Sequence, residues 1–356
     1  MMKQIVERPK IRSVSEQRVV VLAPNWLGDA VMALPAIRDL RRHFPSAQLT
    51  VAARPSVARL FRAVSGIDDI LTFNKRKGEV AQLRSGQFDA AVLFPNSFHS
   101  AWIVRRAGIA ERWGYRSDFR GLLLTRPVSR PKERLHFGEY YQQLVRALGI
   151  DAGPLTPQIE LPHAVVETAR RLLEERGWSE GQPLIGIAPG AAFGHAKRWP
   201  AERFAAVMAS ARKELDAACV LLGRDEDRDA SRGIEDALQG DAGLVMNLVG
   251  QTELLTFIGV ISHCSALLSN DSGALHVAAA LGVPVVAIYG PTHERYSRPL
   301  TSIEEAGGRV ATLSADVWCR PCWLRECPID HRCMKRISVD QVYASLRQVL
   351  QQETRA

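Results

Sequence analysis

No run of apolar residues in this chain approaches the ~18 needed to cross a bilayer, so a membrane-spanning protein is not expected. The opening stretch "MMKQIVERPKIRSVSEQ" lacks an apolar core, so it does not read as a secretory signal, and a cytoplasmic location is expected. A G-x-G-x-x-G fingerprint is missing after both candidate nucleotide-fold strands: 23–30 holds one glycine and 189–194 reads "PGAAFG". That argues against a nicotinamide- or flavin-dependent oxidoreductase. Despite a net charge of +8, no recognition helix or RNA-binding signature appears, so nucleic acid is not the expected partner. The remaining anionic partners are an acidic membrane surface and a phosphorylated small substrate.

Cysteine is sparse. Cys219 and Cys264 are isolated and read as small buried hydrophobes. Cys319, Cys322, Cys327 and Cys333 cluster, with His331 among them. The spacing is close to a zinc knuckle. Reduced thiols packing a loop, or disulfides, which the cytoplasm disfavours, are the alternatives. Each of these roles is structural.

What the chain does have is 356 residues, 46% of them hydrophobic, enough for roughly two domains. Apolar runs alternate with helical patterns: "RVVVLAP", "QLTVAA", "DAAVLFP", "PLIGIAPG", "ACVLLG", "ALLSN" and "VPVVAIYG". Strands buried on both faces and separated by helices imply an α/β fold with parallel sheets. Helices are expected near Val31–Phe44, Ala164–Arg176 and Glu202–Leu215, with Pro35 kinking the first or starting a new turn. "VVVLAPN" and "LIGIAPG" both end in Ala-Pro before a loop and a helix, as the first strands of two similar halves would. The Pro- and Gly-rich segment 149–164 leads out of the first half, so the boundary is expected near 155–180 and is set at 170/171. The tail "SVDQVYASLRQVLQQ" is helical, with an apolar stripe from Val339 to Leu350 and a capping box at Ser338 and Gln341. Ligands are expected at the carboxyl ends of the strands, in a cleft between the halves.

Three segments carry candidate chemistry. In "LLSNDSGALHVAAALGVP" a strand ends at Asn270-Asp271, and Ser272 and Gly273 open a helix with His276 one turn on. Unpaired N–H groups and the positive dipole end suit a phosphate. Asp271 would repel one, and reads as a helix cap or an acceptor for sugar hydroxyls. A plain helix cap is the other reading. In "APGAAFGHAKRWP", Gly190 and its small neighbours leave room for a ligand, and Lys197 could neutralise a pyrophosphate leaving group. A solvated basic turn is the alternative. In "GRDEDRDA" the acids begin a helix, where they suit the dipole, so no metal is assigned to them; Glu226 is the choice for ribose hydroxyls. Asp29, in "LAPNWLGDAVMALPA", follows Gly28. It serves either the helix dipole or general base catalysis, and spacing alone leaves both open.

Taken together, "PNWLGDAVMALPA", "PGAAFGHAKRWP", "SNDSGALHVAAALGVPVVAIYGPT" and "CRPCWLRECPIDHRCM" resemble the lipopolysaccharide heptosyltransferases of glycosyltransferase family 9. The resemblance runs from residue 19 to about 340. It implies a GT-B fold, two Rossmann-like domains whose parallel sheets face a central cleft. An acceptor-binding domain at 1–170 and a donor domain at 171–337 would be followed by a helix at 338–356 packing back on the first. The reaction would move L-glycero-D-manno-heptose from ADP-heptose to the heptosyl-Kdo-lipid A inner core, with inversion, no cofactor and no essential metal. Asp29 matches the catalytic base and Lys197 the stabiliser of the departing diphosphate. Gly190, Asp271, Ser272, Gly273 and His276 match the donor site, and Glu226 only approximately. Asn25, Gly28 and the loop residues Ser97, His99 and Ser100 fall to the acceptor. That acceptor, an anionic glycolipid, suits the basic stretch 111–137 and peripheral contact with the inner membrane face. Another family 9 transferase, acting at the first heptose or on a surface polysaccharide, is the alternative. A non-catalytic sugar-nucleotide binder is a further one.

Overall fold

The computed structural model describes residues 18–74, 78–238, 245–301 and 309–351; the stretch read for a leader, 1–17, lies outside them. The chain divides into two compact units, Met1–Leu155 and Thr156–Ala356. Among the described residues no helix is long and apolar enough to cross a membrane.

The first unit is built on β1 (Arg18–Leu22), β2 (Gln48–Ala53), β3 (Asp69–Thr72), β4 (Ala90–Leu93), β5 (Glu111–Tyr115) and β6 (Arg126–Val128). They form one parallel sheet in the order β3-β2-β1-β4-β5-β6. β1 is central because Val19, Val20 and Val21 are apolar towards both faces, and all three are fully buried. After β1 come helices Leu27–Met32 and Leu34–His43, divided at Ala33. Pro35 is the second residue of the later helix, where its missing N–H costs nothing. It marks a new turn rather than a kink.

The second unit repeats the plan with β7 (Leu184–Ala188), β8 (Ala218–Leu221), β9 (Val245–Asn247), β10 (Ala266–Asn270), β11 (Val285–Tyr289) and β12 (Val310–Ser314). Their order is β12-β11-β10-β7-β8-β9, again all parallel. Counted from its own first strand, each sheet has the doubly wound order 3-2-1-4-5-6.

Two domain boundaries differ from those expected. The units divide after Leu155, not after 170. Helix His163–Glu175 buries Ala169 and Leu173 against helix Leu254–Ser262, where Gly259 leaves room for Ala169, and so belongs to the second unit. The C-terminal helix, Val339–Gln351, was expected on the first domain. Its buried Val342, Leu346 and Val349 instead share the second unit's core with Ile185, Phe204 and Ile288. The reason is chain length. Met334 and Ile337 are already in that core, and the helix starts two residues after Ile337 with no linker to carry it elsewhere. Its capping box forms as expected: the Ser338 N–H donates to Gln341 Oε1 (3.0 Å), and the Gln341 N–H to Ser338 Oγ (3.2 Å).

Leu346→Ala should therefore destabilise the second unit by about 2–5 kcal/mol. Urea unfolding followed by circular dichroism reads this. An unchanged transition would mean that the helix is not part of that core.

Candidate active site

In each sheet the winding reverses between the first strand and the fourth, leaving the crevice at their carboxyl ends open to a ligand. In the first unit these strands are β1 and β4, which pair directly. In the second they are β7 and β10. The loops leaving these four ends hold nearly every residue singled out in the sequence.

At the β7/β10 reversal the Lys197 ammonium lies 2.5 Å from Asp271 Oδ2, with both side chains nearly buried. Thr292 Oγ1 donates to the same oxygen at 2.7 Å. Asn270 ties the two loops together: its Nδ2 donates to the Pro189 carbonyl (2.7 Å) and its Oδ1 accepts from the Trp199 N–H (3.1 Å). Helix Gly273–Ala280 starts at this point, and Ser272 is its N-cap, accepting from the Ala274 N–H at 3.3 Å. Asp271 is thus not the cap; its carboxylate turns instead to Lys197. His276 is buried within the helix. Gly190 is required as glycine, since a Cβ there would lie 2.2 Å from the Asp227 carboxyl. Asp227, buried, accepts from the Arg224 N–H at 3.2 Å, and Arg198 lies 3.6 Å from it. Glu226, two-thirds exposed or more at 71%, points to solvent beside Arg224.

At the β1/β4 reversal Asn25 is exposed, and Gly28 and Asp29 are half-buried in the first turn of helix Leu27–Met32. Burial pushes the Tyr141 phenol well above its ordinary value, and the nearby Asp29 carboxylate adds to it. Across from β1, Ser97 caps helix Phe98–Arg106, accepting from the Ser100 N–H. Ser100 Oγ is buried and donates to the Ser97 carbonyl at 2.7 Å. His99 Nε2 faces Glu79 Oε2 at 2.5 Å, and Arg54 pairs with the same buried carboxylate at 2.7 Å. Of the three loop residues proposed from sequence, the two serines are engaged in shaping the loop. Ser97 is exposed, His99 partly exposed and Ser100 buried.

Four further residues were missed. Arg120 is fully buried, and its guanidinium donates to the carbonyls of Tyr115 (2.9 Å) and Pro95 and to Ser100 Oγ (2.9 Å). Burial pulls its pKa down to about 10. Asn96 Nδ2 donates to Tyr140 Oη at 2.9 Å. Thr292 follows β11 in "YGPT", and Asp227 lies in the acidic run. For Arg120 the signal was an arginine set against "GLLL". For Asp227 the signal was the lack of a side chain at Gly190.

The cysteine-bearing segment straps this second site. The Arg325 carbonyl accepts from the Ala196 N–H at 2.9 Å, one residue before Lys197. Arg320 donates to the carbonyls of Gly290 (2.9 Å) and Thr292 (3.0 Å). The six cysteines are free thiols. Burial raises the Cys333 thiol, and Cys319, Cys322 and Cys327 are close enough to raise it further. Among the described residues no three or more His, Cys, Asp or Glu side chains are arranged to hold a metal ion.

Comparison with known proteins bears on both sites. The profile of glycosyltransferase family 9 (heptosyltransferase) matches residues 80–332, a span that includes the second site and leaves out Asp29. The chain is 32% identical over 306 residues to lipopolysaccharide heptosyltransferase 2 of Escherichia coli, covering 80% of this chain and 86% of that one. Lipooligosaccharide heptosyltransferase 2 of Haemophilus ducreyi is also 32% identical, over 307 residues, with the same coverage. The solved structure of E. coli ADP-heptose LPS heptosyltransferase II superposes with a TM-score of 0.82 at 28% identity, covering 95% of this chain and all of that one. An E. coli heptosyltransferase structure with ADP shares the fold, with a TM-score of 0.69 at 16% identity, covering 94% and 100%. The architecture is therefore GT-B, with two doubly wound units.

Removing one partner of a buried ion pair leaves the other charge without compensation. Lys197→Met should accordingly lower the second unit's stability by about 3–5 kcal/mol. The double variant Lys197→Met/Asp271→Asn should recover much of that loss. Equal urea midpoints for the single and double variants would show that Asp271 does not depend on the ammonium.

Proposed function

Since the chain belongs to glycosyltransferase family 9 (heptosyltransferase), we propose that it is an inverting transferase of lipopolysaccharide inner-core synthesis. It would move L-glycero-D-manno-heptose from ADP-heptose to the heptose of heptosyl-Kdo-lipid A, at the inner face of the cytoplasmic membrane. The names of the relatives at 32% identity support the position, and the E. coli ADP-heptose LPS heptosyltransferase II structure supports the donor. The observation that carries the reading is the Lys197–Asp271 pair beside the N-terminus of helix Gly273–Ala280. A buried cation and a helix start in one loop cluster suit a diphosphate leaving group.

On this reading Ser272, the Gly273 backbone and Lys197 hold the diphosphate. Asp271 orients the Lys197 ammonium and offers an acceptor to heptose hydroxyls. Gly190 keeps the loop open, His276 backs the helix start, and Glu226 reaches ribose hydroxyls from solvent. Asn25, Gly28, Ser97, His99 and Ser100 shape the acceptor side. Asp29 takes the proton of the attacking acceptor hydroxyl. That oxygen forms its bond to the anomeric carbon on the face opposite the diphosphate. The anomeric C–O bond breaks, and its electron pair leaves with ADP, whose growing charge Lys197 and the helix dipole stabilise. One displacement inverts the anomeric configuration. ADP-heptose is a co-substrate, and the reading calls for no cofactor.

Asp29→Ala should cut turnover by about 10²–10⁴-fold, with ADP binding in calorimetry nearly unchanged. Wild-type turnover in that variant would remove Asp29 as the base. Defined acceptors test the position: transfer onto Kdo-lipid A that carries no heptose would refute second-heptose specificity.

A further inference from the structure

The loop after β5 holds two apolar side chains out in solvent and fixes them there. Phe119 is 99% exposed and Leu122 91%. Arg120, between them, is fully buried, with its guanidinium bonded to three backbone carbonyls and Ser100 Oγ. Asp118 (φ 44°) and Phe119 (φ 57°) are both left-handed, a backbone that non-glycine residues adopt only when their surroundings hold them. Arg120 supplies that hold. The display is thus built into the loop rather than a loose tip.

The surroundings are cationic and aromatic. Helix Phe98–Arg106 packs on the 120–123 turn, and Arg105 Nη1 reaches the Leu122 carbonyl at 3.4 Å. The Arg116 side chain lies along Gly121. Trp102, 41% exposed, carries the Arg106 guanidinium over its ring at 5.8 Å. Residues 98–134 contain nine Lys and Arg against three Asp and Glu, a net +6 of the chain's +8. One of those acids, Glu111, is engaged by Arg126 at 3.4 Å.

We propose that Phe119 and Leu122 insert into the surface of an anionic phospholipid bilayer, with Arg105, Arg106 and Arg116 meeting the headgroup phosphates. Apolar side chains standing in a ring of cations match the two layers of such a surface, acyl boundary below and phosphate above. A second copy of this face would bring like charges together. A polyanion without an apolar layer would leave Phe119 and Leu122 in water. The inference rests on the reading that the acceptor is lipid-borne, since a surface-bound enzyme then meets its substrate in two dimensions.

The test is co-sedimentation of the full chain with phosphatidylethanolamine/phosphatidylglycerol vesicles and with phosphatidylcholine vesicles. Wild type should bind the anionic vesicles and bind the neutral ones weakly. Phe119→Ser/Leu122→Ser, with an unchanged circular dichroism spectrum, should bind anionic vesicles about tenfold more weakly or worse. Salt should strip the residual binding, which is purely electrostatic. Turnover of a de-acylated, water-soluble acceptor should stay at the wild-type level in the double variant. Equal vesicle binding by wild type and variant would overturn the proposal. So would a wild-type dimer in sedimentation velocity that the double substitution dissolves. If no acceptor is turned over by wild type, the functional reading fails while the vesicle comparison still decides the surface.

Discussion

Everything functional in this chain depends on a constraint of parallel sheets. A parallel strand is reached only by a crossover, and successive crossovers of one hand carry the chain steadily to one edge. Using the other side of the first strand requires a reversal, and at the reversal two neighbouring loops leave in opposite directions. The crevice between them is the one place on the sheet where backbone and side chains from distant sequence converge without a helix above them. Both units make this reversal, between β1 and β4 and between β7 and β10. Residues 74 positions apart, Lys197 and Asp271, meet there.

The same geometry with different residues gives different chemistry. The second reversal combines a buried ammonium, a short helix start and the small Gly190, and a helix start with a cation attracts oxyanions. The first has one glycine, Gly28, and a carboxylate, Asp29, in a helix first turn. A carboxylate there repels phosphate, so this reversal suits a neutral hydroxyl that must lose a proton. The two reversals thus differ in charge: the second carboxylate, Asp271, is paired with an ammonium, and the first, Asp29, lies in a helix first turn.

How much of this was legible in the sequence depends on burial. Seven strands were read from their apolar runs, and all seven are largely buried. The five missed strands are β3, β5, β6, β9 and β12. Four of them are edge strands with mostly half-exposed residues, and β5, next to an edge, opens on Glu111 and Arg112. An edge strand needs no apolar run, because backbone pairing on one side places it. The loops carrying Asp29, Lys197 and Asp271 were legible because each follows a buried strand. Arg120 was not, since local sequence gives no sign that its carbonyl partners come from Pro95 and Tyr115. The domain limits differ for a related reason: the stripes on helices 163–175 and 339–351 show that each must be covered, but not by which unit.

The strap formed by the cysteine segment explains why the second site can hold a buried charge in place. Lys197 lies at the end of a 3-10 turn, His195–Lys197, which has little stability of its own. The Arg325 carbonyl bonds the Ala196 N–H, and Gly194 has no room for a Cβ against that same carbonyl. Arg320 fixes the carbonyls of Gly290 and Thr292, and Thr292 in turn donates to Asp271. One segment therefore holds both partners of the ion pair, each through a different loop. A buried ion pair in loops would otherwise lose to desolvation, because attraction offsets that cost only when the geometry is held closely. Of the strap's cysteines Cys333 is buried and Cys322 exposed, and the short helix Arg332–Lys335 sets Met334 against Gly290, where a Cβ would lie 2.3 Å from its sulfur. The Lys197–Asp271 pair thus depends on a segment that contributes neither of its partners.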